Sequence, residues 1–341
     1  MSRSLRERSL AHSSDKPASC PIRRRHFFCL LGVLSSWPAA PNAQQQKMTT
    51  IGILVVGAPG SEQFLQQFRE AMHGLGYIEG QSVRYELRSD EGQPSRLPAL
   101  ATELVRLNVD LIVTWYTPPA QAAKWATTQI PIVMALAGNP VETGLVESLD
   151  RPGGNITGMA GAAAELSSKC VELIREMLTS PRRIVALANA PDPFAKPFVE
   201  YIRNGGGVTG ITIEAKMISG TDQLEAAFQQ MEKDRPDAVI VQPSLPRKRA
   251  AELAISSRIP AISIIRGFAE EGGLMSYAPS EAEIYRRAAA MVDRILKGAK
   301  PSHIPVEQPT KFELLINMKT AKKLGLRIPP SFLARADVLI E

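Results

Sequence analysis

The sequence predicts an α/β protein of two similar lobes, each a Rossmann-like parallel sheet flanked by helices, and three observations lead there. Apolar runs of strand length alternate with stretches of helical periodicity. The alternation then occurs a second time along the chain. Matched elements of the two passes also keep a near-constant offset: Asp110 lies 127 residues before Asp237, each opening a short apolar run, and Ile130 with Pro131 lies 129 residues before Ile259 with Pro260. An internal structural repeat explains such offsets, whereas a single long doubly wound sheet would not require them.

Taken in order, Ile51 to Val56 is a near-continuous apolar run, the mark of a parallel strand covered on both faces. Phe64, Phe68, Ala71, Met72 and Leu75 follow at spacings of three and four, a helix that ends at Gly74 to Gly76. A strand is expected over about Ser82 to Arg88, a helix from Ser95 to Leu107, and a strand from Leu111 to Thr114. A helix from Pro119 to Thr127 and a strand from Ile130 to Leu136 complete the first pass. The second pass has strands at Arg183 to Asn189, Ile211 to Met217, Ala238 to Val241 and Ile259 to Ser263. Helices are expected between them from Pro193, Asp222 and Pro246, and Asn204 to Gly210 reads as a helix-ending turn.

Composition and charge exclude several classes. With 44% apolar and 22% charged residues in 341, the chain is neither disordered nor fibrous. The net charge of +6 sits entirely in residues 1–47, which hold eight Lys/Arg and two acids, so the remainder is neutral and shows no footprint for nucleic acid. That basic start reads as an address: Arg23 to Arg25 run into the short apolar stretch Phe27 to Leu34, followed by small residues up to Ala43. The apolar core is too short to span a bilayer. Residues 1–43 are therefore expected to be an extension and a signal peptide cleaved near Ala43, giving a periplasmic protein. Arg24 to Phe27 resembles the twin-arginine motif, with Arg23 where that motif prefers Ser or Thr. The polar residues 1–19 precede the charged segment and place the expected translation start downstream of them.

After cleavage Cys170 is the sole cysteine, and His73 and His303 are the sole histidines. No internal disulfide can form, no metal site is expected, and a Ser-His-Asp or Cys-His machine lacks a placed base. Both histidines are expected at the surface. No GxSxG, P-loop or GxGxxG stretch appears, so no cofactor and no enzymatic activity are expected. The strand ends are more informative, because open α/β sheets bind ligands there. Ala58-Pro59, Thr117-Pro118, Asn139-Pro140 and Asp192-Pro193 each follow an expected strand, and the last three read as helix starts able to seat a carboxylate.

Three further stretches, "RPGGNITG" (151–158), "GGLMSYAPS" (272–280) and "VDRILKGAKPSHIPVEQPTKFELLINMKTAKKLGL" (292–326), together with the closing "IPPSFLARADVLIE", resemble the ABC-transporter substrate-binding family that takes up tryptophan, tyrosine or phenylalanine. The resemblance covers almost the whole mature chain. It implies a type I periplasmic-binding-protein fold, a monomer, a small-molecule ligand held between lobes and an ABC permease as partner. It also implies three hinge crossings, near Gly153 to Gly158, Arg266 to Ser276 and Pro305 to Phe312. Lobe 1 would comprise 49–155 plus 273–303, and lobe 2 would comprise 156–272 plus 304–341. The rival readings are a ligand sensor docking on a membrane receptor and an α/β enzyme.

For ligand binding the expected residues are Ser61, Trp115, Tyr116, Thr117, Pro118, Asn139, Asn189, Asp192, Phe194, Ser244, Arg266 and Tyr277. Thr117 matches the family's Thr-Pro turn and would offer its hydroxyl and helix-end amides. Trp115 and Tyr116 would stack on a planar ligand or else cover the lobe edge. Asp192 is the candidate amine partner and Arg266 the candidate partner of an acidic group. Asn139 stands where many members have Asp, and Ser244 likewise follows Pro243 in place of an acid. Tyr277 would serve either the hinge or the ligand.

Overall fold

Two parallel sheets organise the chain in the computed structural model, which describes residues 48–57 and 61–341. The expected signal peptide and the Ala58-Pro59 turn lie outside the described residues. The first pass comprises β1 (Thr49–Val55), α1 (Ser61–Gly74), β2 (Val83–Ser89), α2 (Leu97–Arg106), β3 (Leu111–Trp115), α3 (Thr117–Ala126), β4 (Ile132–Gly138) and β5 (Ile156–Gly161). The second comprises α4 (Ala163–Met177), β6 (Arg183–Asn189), α5 (Ala195–Thr209), β7 (Thr212–Ile218), α6 (Thr221–Asp234), β8 (Ala238–Val241), α7 (Arg247–Ser256), β9 (Ala261–Ser263), α8 (Arg266–Glu270) and β10 (Met275–Pro279). The chain closes with α9 (Glu281–Leu296), β11 (Phe312–Asn317), α10 (Met318–Leu324), α11 (Pro330–Leu333) and β12 (Val338–Ile340).

The first sheet has the order β2-β1-β3-β4-β5, and the second contains β7-β6-β8-β9-β10, the same order, extended by β11 and β12. β11 runs antiparallel to β10. The repeat reaches individual hydrogen bonds. Asp110 Oδ2 accepts the Thr50 N–H at 2.8 Å, and Asp237 Oδ2 accepts the Arg182 and Arg183 N–H groups at 2.7 and 2.9 Å. Each acid satisfies donors at the start of its lobe's first strand, so the two aspartates keep matched positions in the sequence.

Every residue of β3 and β8 is buried, because helices cover both faces of each sheet. Trp115 at the end of β3 is fully buried. Its ring stacks on Phe64 at 5.5 Å between centroids, and its Nε1–H donates to the Tyr285 hydroxyl at 3.1 Å. That bond ties β3 to α9, which packs on α1 in the first lobe.

Two expected crossings are displaced. Ile156–Gly161 pairs in parallel with β4, so the chain leaves the first sheet between Gly161 and Ala163, beyond the expected Gly153 to Gly158. Gly158 is required inside β5: its φ is +137°, and a Cβ there would meet the Met134 carbonyl oxygen at 2.2 Å. Met275–Pro279 pairs with β9 and β11, so the return crossing lies at Pro279–Glu281 and not at Arg266 to Ser276, where α8 forms. The third crossing runs from Glu307, bridged to Met159, into β11. By sheet membership, 156–161 thus goes with the first lobe and 275–279 with the second. The Asn204 to Gly210 stretch is also corrected, since α5 continues through Gly205 and Gly206 and ends only at Gly210 (φ +74°). A Cβ at Gly205 would lie 2.9 Å from the Ser168 carbonyl oxygen, so this glycine lets α5 approach α4 closely, while one at Gly206 would meet Ile213 on the β7 side at 2.5 Å.

Candidate functional site

The strand order reverses between β1 and β3 in one lobe and between β6 and β8 in the other, and the carboxyl ends of β3, β6 and β8, with those of β4 and β9, face one cavity. Its empty volume is about 550 Å³, part of it open to solvent. Tyr116, Thr117 and Leu136 to Gly138 line it from the first lobe. Asp192, Phe194, Gln242 to Ser244 and Ile264 with Ile265 line it from the second, and Pro279, Glu281 and Ile284 from the return crossing. Most of this wall is apolar, with a few convergent polar groups, the usual make-up of a small-molecule site.

On the first-lobe wall, Tyr116 leaves the strand with φ +76°, a sparsely populated conformation for a non-glycine residue. Trp115 is packed in the core, and that torsion lays the Tyr116 ring against it, at 4.3 Å between centroids, with Tyr116 at the cavity wall. The Tyr116 hydroxyl is buried and makes no hydrogen bond among the described residues. Burial pushes its phenol well above the ordinary range. Thr117 Oγ1 accepts the Gly138 N–H at 3.0 Å, which leaves the hydroxyl hydrogen available to a ligand. The helix-end amides expected here reduce to that of Thr117, because Pro118 and Pro119 carry no N–H and Ala120 N bonds the Tyr116 carbonyl.

The second-lobe wall centres on Asp192, which is buried. Its Oδ1 accepts the Phe194 N–H at 2.9 Å, and its Oδ2 accepts Gln242 Nε2 at 2.8 Å and the Ser244 hydroxyl at 2.6 Å. All three donors are neutral. Burial pushes the carboxyl up to about 6, with the bonds from Ser244 and Phe194 pulling the other way. Phe194 reaches across to the first lobe, and its ring lies so close to Gly138 that a Cβ there would meet it at 2.4 Å. Gly138→Ala should hold the lobes apart by disfavouring this arrangement by about 1–3 kcal/mol, the usual cost of overpacking. Small-angle X-ray scattering would register a larger radius of gyration; an unchanged radius would mean the ring moves aside instead.

Of the twelve expected residues, the structure brings Tyr116, Thr117, Asp192, Phe194 and Ser244 together around this cavity. Pro118 and Asn189 line an adjoining cleft that shares Ser244. Asn139 bonds the Tyr201 hydroxyl and faces a separate groove beside Pro140 and Gln308. The Asn139-Pro140 pair starts a turn, not a helix, closed by the Thr143 N–H on the Asn139 carbonyl. Arg266 is ion-paired with Glu270 at 2.9 Å and with Glu313. Tyr277 packs on Phe312 at 5.9 Å between centroids, and Ser61 opens α1 away from the cavity wall. Gln242 and Glu281 were not expected. Gln242 follows β8 as Tyr116 follows β3, so the repeat itself marked the position.

Among the described residues no group of three His, Cys, Asp or Glu side chains is placed to hold a metal ion, and His73 and His303 are exposed. The sequence model described as "ABC transporter substrate binding protein" matches residues 50–340. The chain belongs to that family. Among the substrate-binding proteins it resembles is a "Tyrosine-binding protein" of Clostridioides difficile (strain R20291), 26% identical over 288 residues, which are 83% of this chain and 82% of that one. Two solved structures are also similar. The ABC domain from Streptococcus pneumonia in complex with L-Trp is 28% identical with a TM-score of 0.79, and a conserved domain protein from Vibrio cholerae is 26% identical with a TM-score of 0.81. Each similarity covers 86% of this chain and 100% of the other. The architecture is the type I periplasmic-binding-protein fold.

Proposed function

We propose that this substrate-binding protein is exported, captures a small molecule with an apolar body between its lobes, and delivers it to an ABC permease without chemical change. The observation that carries the reading is the position of the cavity. It is walled by the strand ends of both lobes, so ligand contacts can form on one lobe and be completed by the other on closure. The tyrosine-binding relative and the L-Trp complex support amino acids or aromatic compounds as the ligand class. Export rests on the charged, apolar and small-residue succession of Arg23 to Ala43, with release near Ala43 into the periplasm.

Binding to the native state must raise stability, by about 2.7 kcal/mol at a ligand concentration one hundred times Kd. A thermal-shift screen of the purified protein against aromatic and branched amino acids, small aromatic acids and their amine analogues should therefore yield at least one saturable increase in Tm. If no small molecule shifts it, the capture reading fails.

A further inference from the structure

The charge around the cavity is unbalanced in one direction. Among the described residues Asp192 is held by neutral donors only, and no Lys, Arg or His lines the wall. Behind the wall, Arg247 is 1% exposed and already serves two carboxylates, Glu271 at 2.8 Å and Glu281 at 3.9 Å. Two buried or half-buried carboxyl groups therefore share this guanidinium, and Asp192 is bonded by neutral groups alone. A second anion entering this space would find no cation on the wall to offset its desolvation.

The helix starts offer little to a carboxylate. In α3 Pro118 and Pro119 lack an N–H, which leaves the Thr117 amide alone. α4 carries Glu165 in its first turn, and α9 begins with Glu281. Ahead of α5, the Phe194 N–H is taken by Asp192.

We propose that the ligand is a monocation: an amine on an apolar, aryl-sized body, without a free carboxylate, its nitrogen held by Asp192. This rests on the capture reading above and narrows it. The free hydrogen of the Thr117 hydroxyl then meets a neutral polar group of the ligand, such as a phenol or a carbonyl oxygen. The apolar body lies along Leu136, Phe194 and Ile264.

Calorimetric titration of the purified protein with two matched series tests this: tyramine, L-tyrosine and 3-(4-hydroxyphenyl)propionate, then tryptamine, L-tryptophan and indole-3-propionate. The amine of at least one series should bind about tenfold or more tightly than its amino acid, and the acids should not bind. Asp192→Asn should weaken the amine by roughly 10- to 100-fold, the range for losing a charge-assisted hydrogen bond, while its melting transition without ligand stays cooperative. If an amino acid or an acid binds more tightly than its amine, the monocation class is overturned and capture stands. If all six compounds and the wider screen fail to bind the folded protein, both fall.

Discussion

Arg247→Met should lower the unfolding free energy by about 3–5 kcal/mol, the usual cost of removing one member of a buried ion cluster. Methionine fills much of the same volume, so the loss is electrostatic. Arg247 opens α7 in the second lobe, and its Nη2 donates to Glu271 at 2.8 Å. Nη1 lies 3.9 Å from Glu281 at the start of α9, which returns to the first lobe. Glu281 also accepts the Tyr285 hydroxyl at 3.1 Å, and Tyr285 in turn accepts Trp115 Nε1–H. Removing the guanidinium leaves a buried carboxylate whose remaining donors, Tyr285 and the Gly267 N–H, are neutral.

Burial already holds the Glu281 and Glu271 carboxyls above their ordinary range, opposed by Arg247. In the variant that opposition is gone. The folded state then binds protons more readily than the unfolded one, so the deficit should shrink as pH falls through the carboxylate range. Arg247→Met combined with Glu281→Gln should recover a large part of the loss. Urea unfolding at pH 7 and pH 5 measures both effects; a deficit under about 1 kcal/mol at pH 7 would show that the cluster is solvated enough to do without its cation.

How far the fold could be read from the sequence depends on how each strand is buried. β1, β3, β4, β6 and β8 are largely covered on both faces, so their sequences are near-continuous apolar runs of strand length, as a parallel sheet requires. β5 and β10 overlap the crossings implied by the family resemblance, and their sequences carry no strand signal to correct it: Ile156–Gly161 contains two glycines, and Met275–Pro279 mixes small, polar and proline residues. Their place in the sheets is set by partners distant in sequence, with β5 lying so close to Met134 that only glycine fits at 158. At the site, the strand-end rule led to Tyr116, Thr117 and Asp192. It could not separate Trp115 from Tyr116, because the turn that divides core from cavity is a backbone torsion at Tyr116. Glu281 escaped notice for a different reason: an acid in a first helical turn usually faces solvent, and nothing local shows that α9 begins against the buried Arg247.

Asp192→Asn should show the opposite sign from most changes to a buried polar residue, becoming relatively more stable than the wild type as pH rises. The Asp192 carboxyl ionises near pH 4 when unfolded and at about 6 when folded, because burial outweighs the bonds from Ser244 and Phe194. Between those values the folded state binds the extra proton. Wild-type stability therefore falls as pH rises through roughly 4 to 6. With about 1.4 kcal/mol for each unit of displacement, the full effect is about 3 kcal/mol. The variant lacks this titration, and Glu271 and Glu281 titrate in both proteins and cancel in the comparison. The difference in unfolding free energy should thus move by about 3 kcal/mol in the variant's favour between pH 4 and pH 7. A cationic ligand would offset the same cost in the wild type alone, so saturating amine should narrow the gap at pH 7. A difference that stays flat across this range would mean that water reaches Asp192 in the unliganded protein, and the carboxylate would then have no unmet need for a ligand's charge.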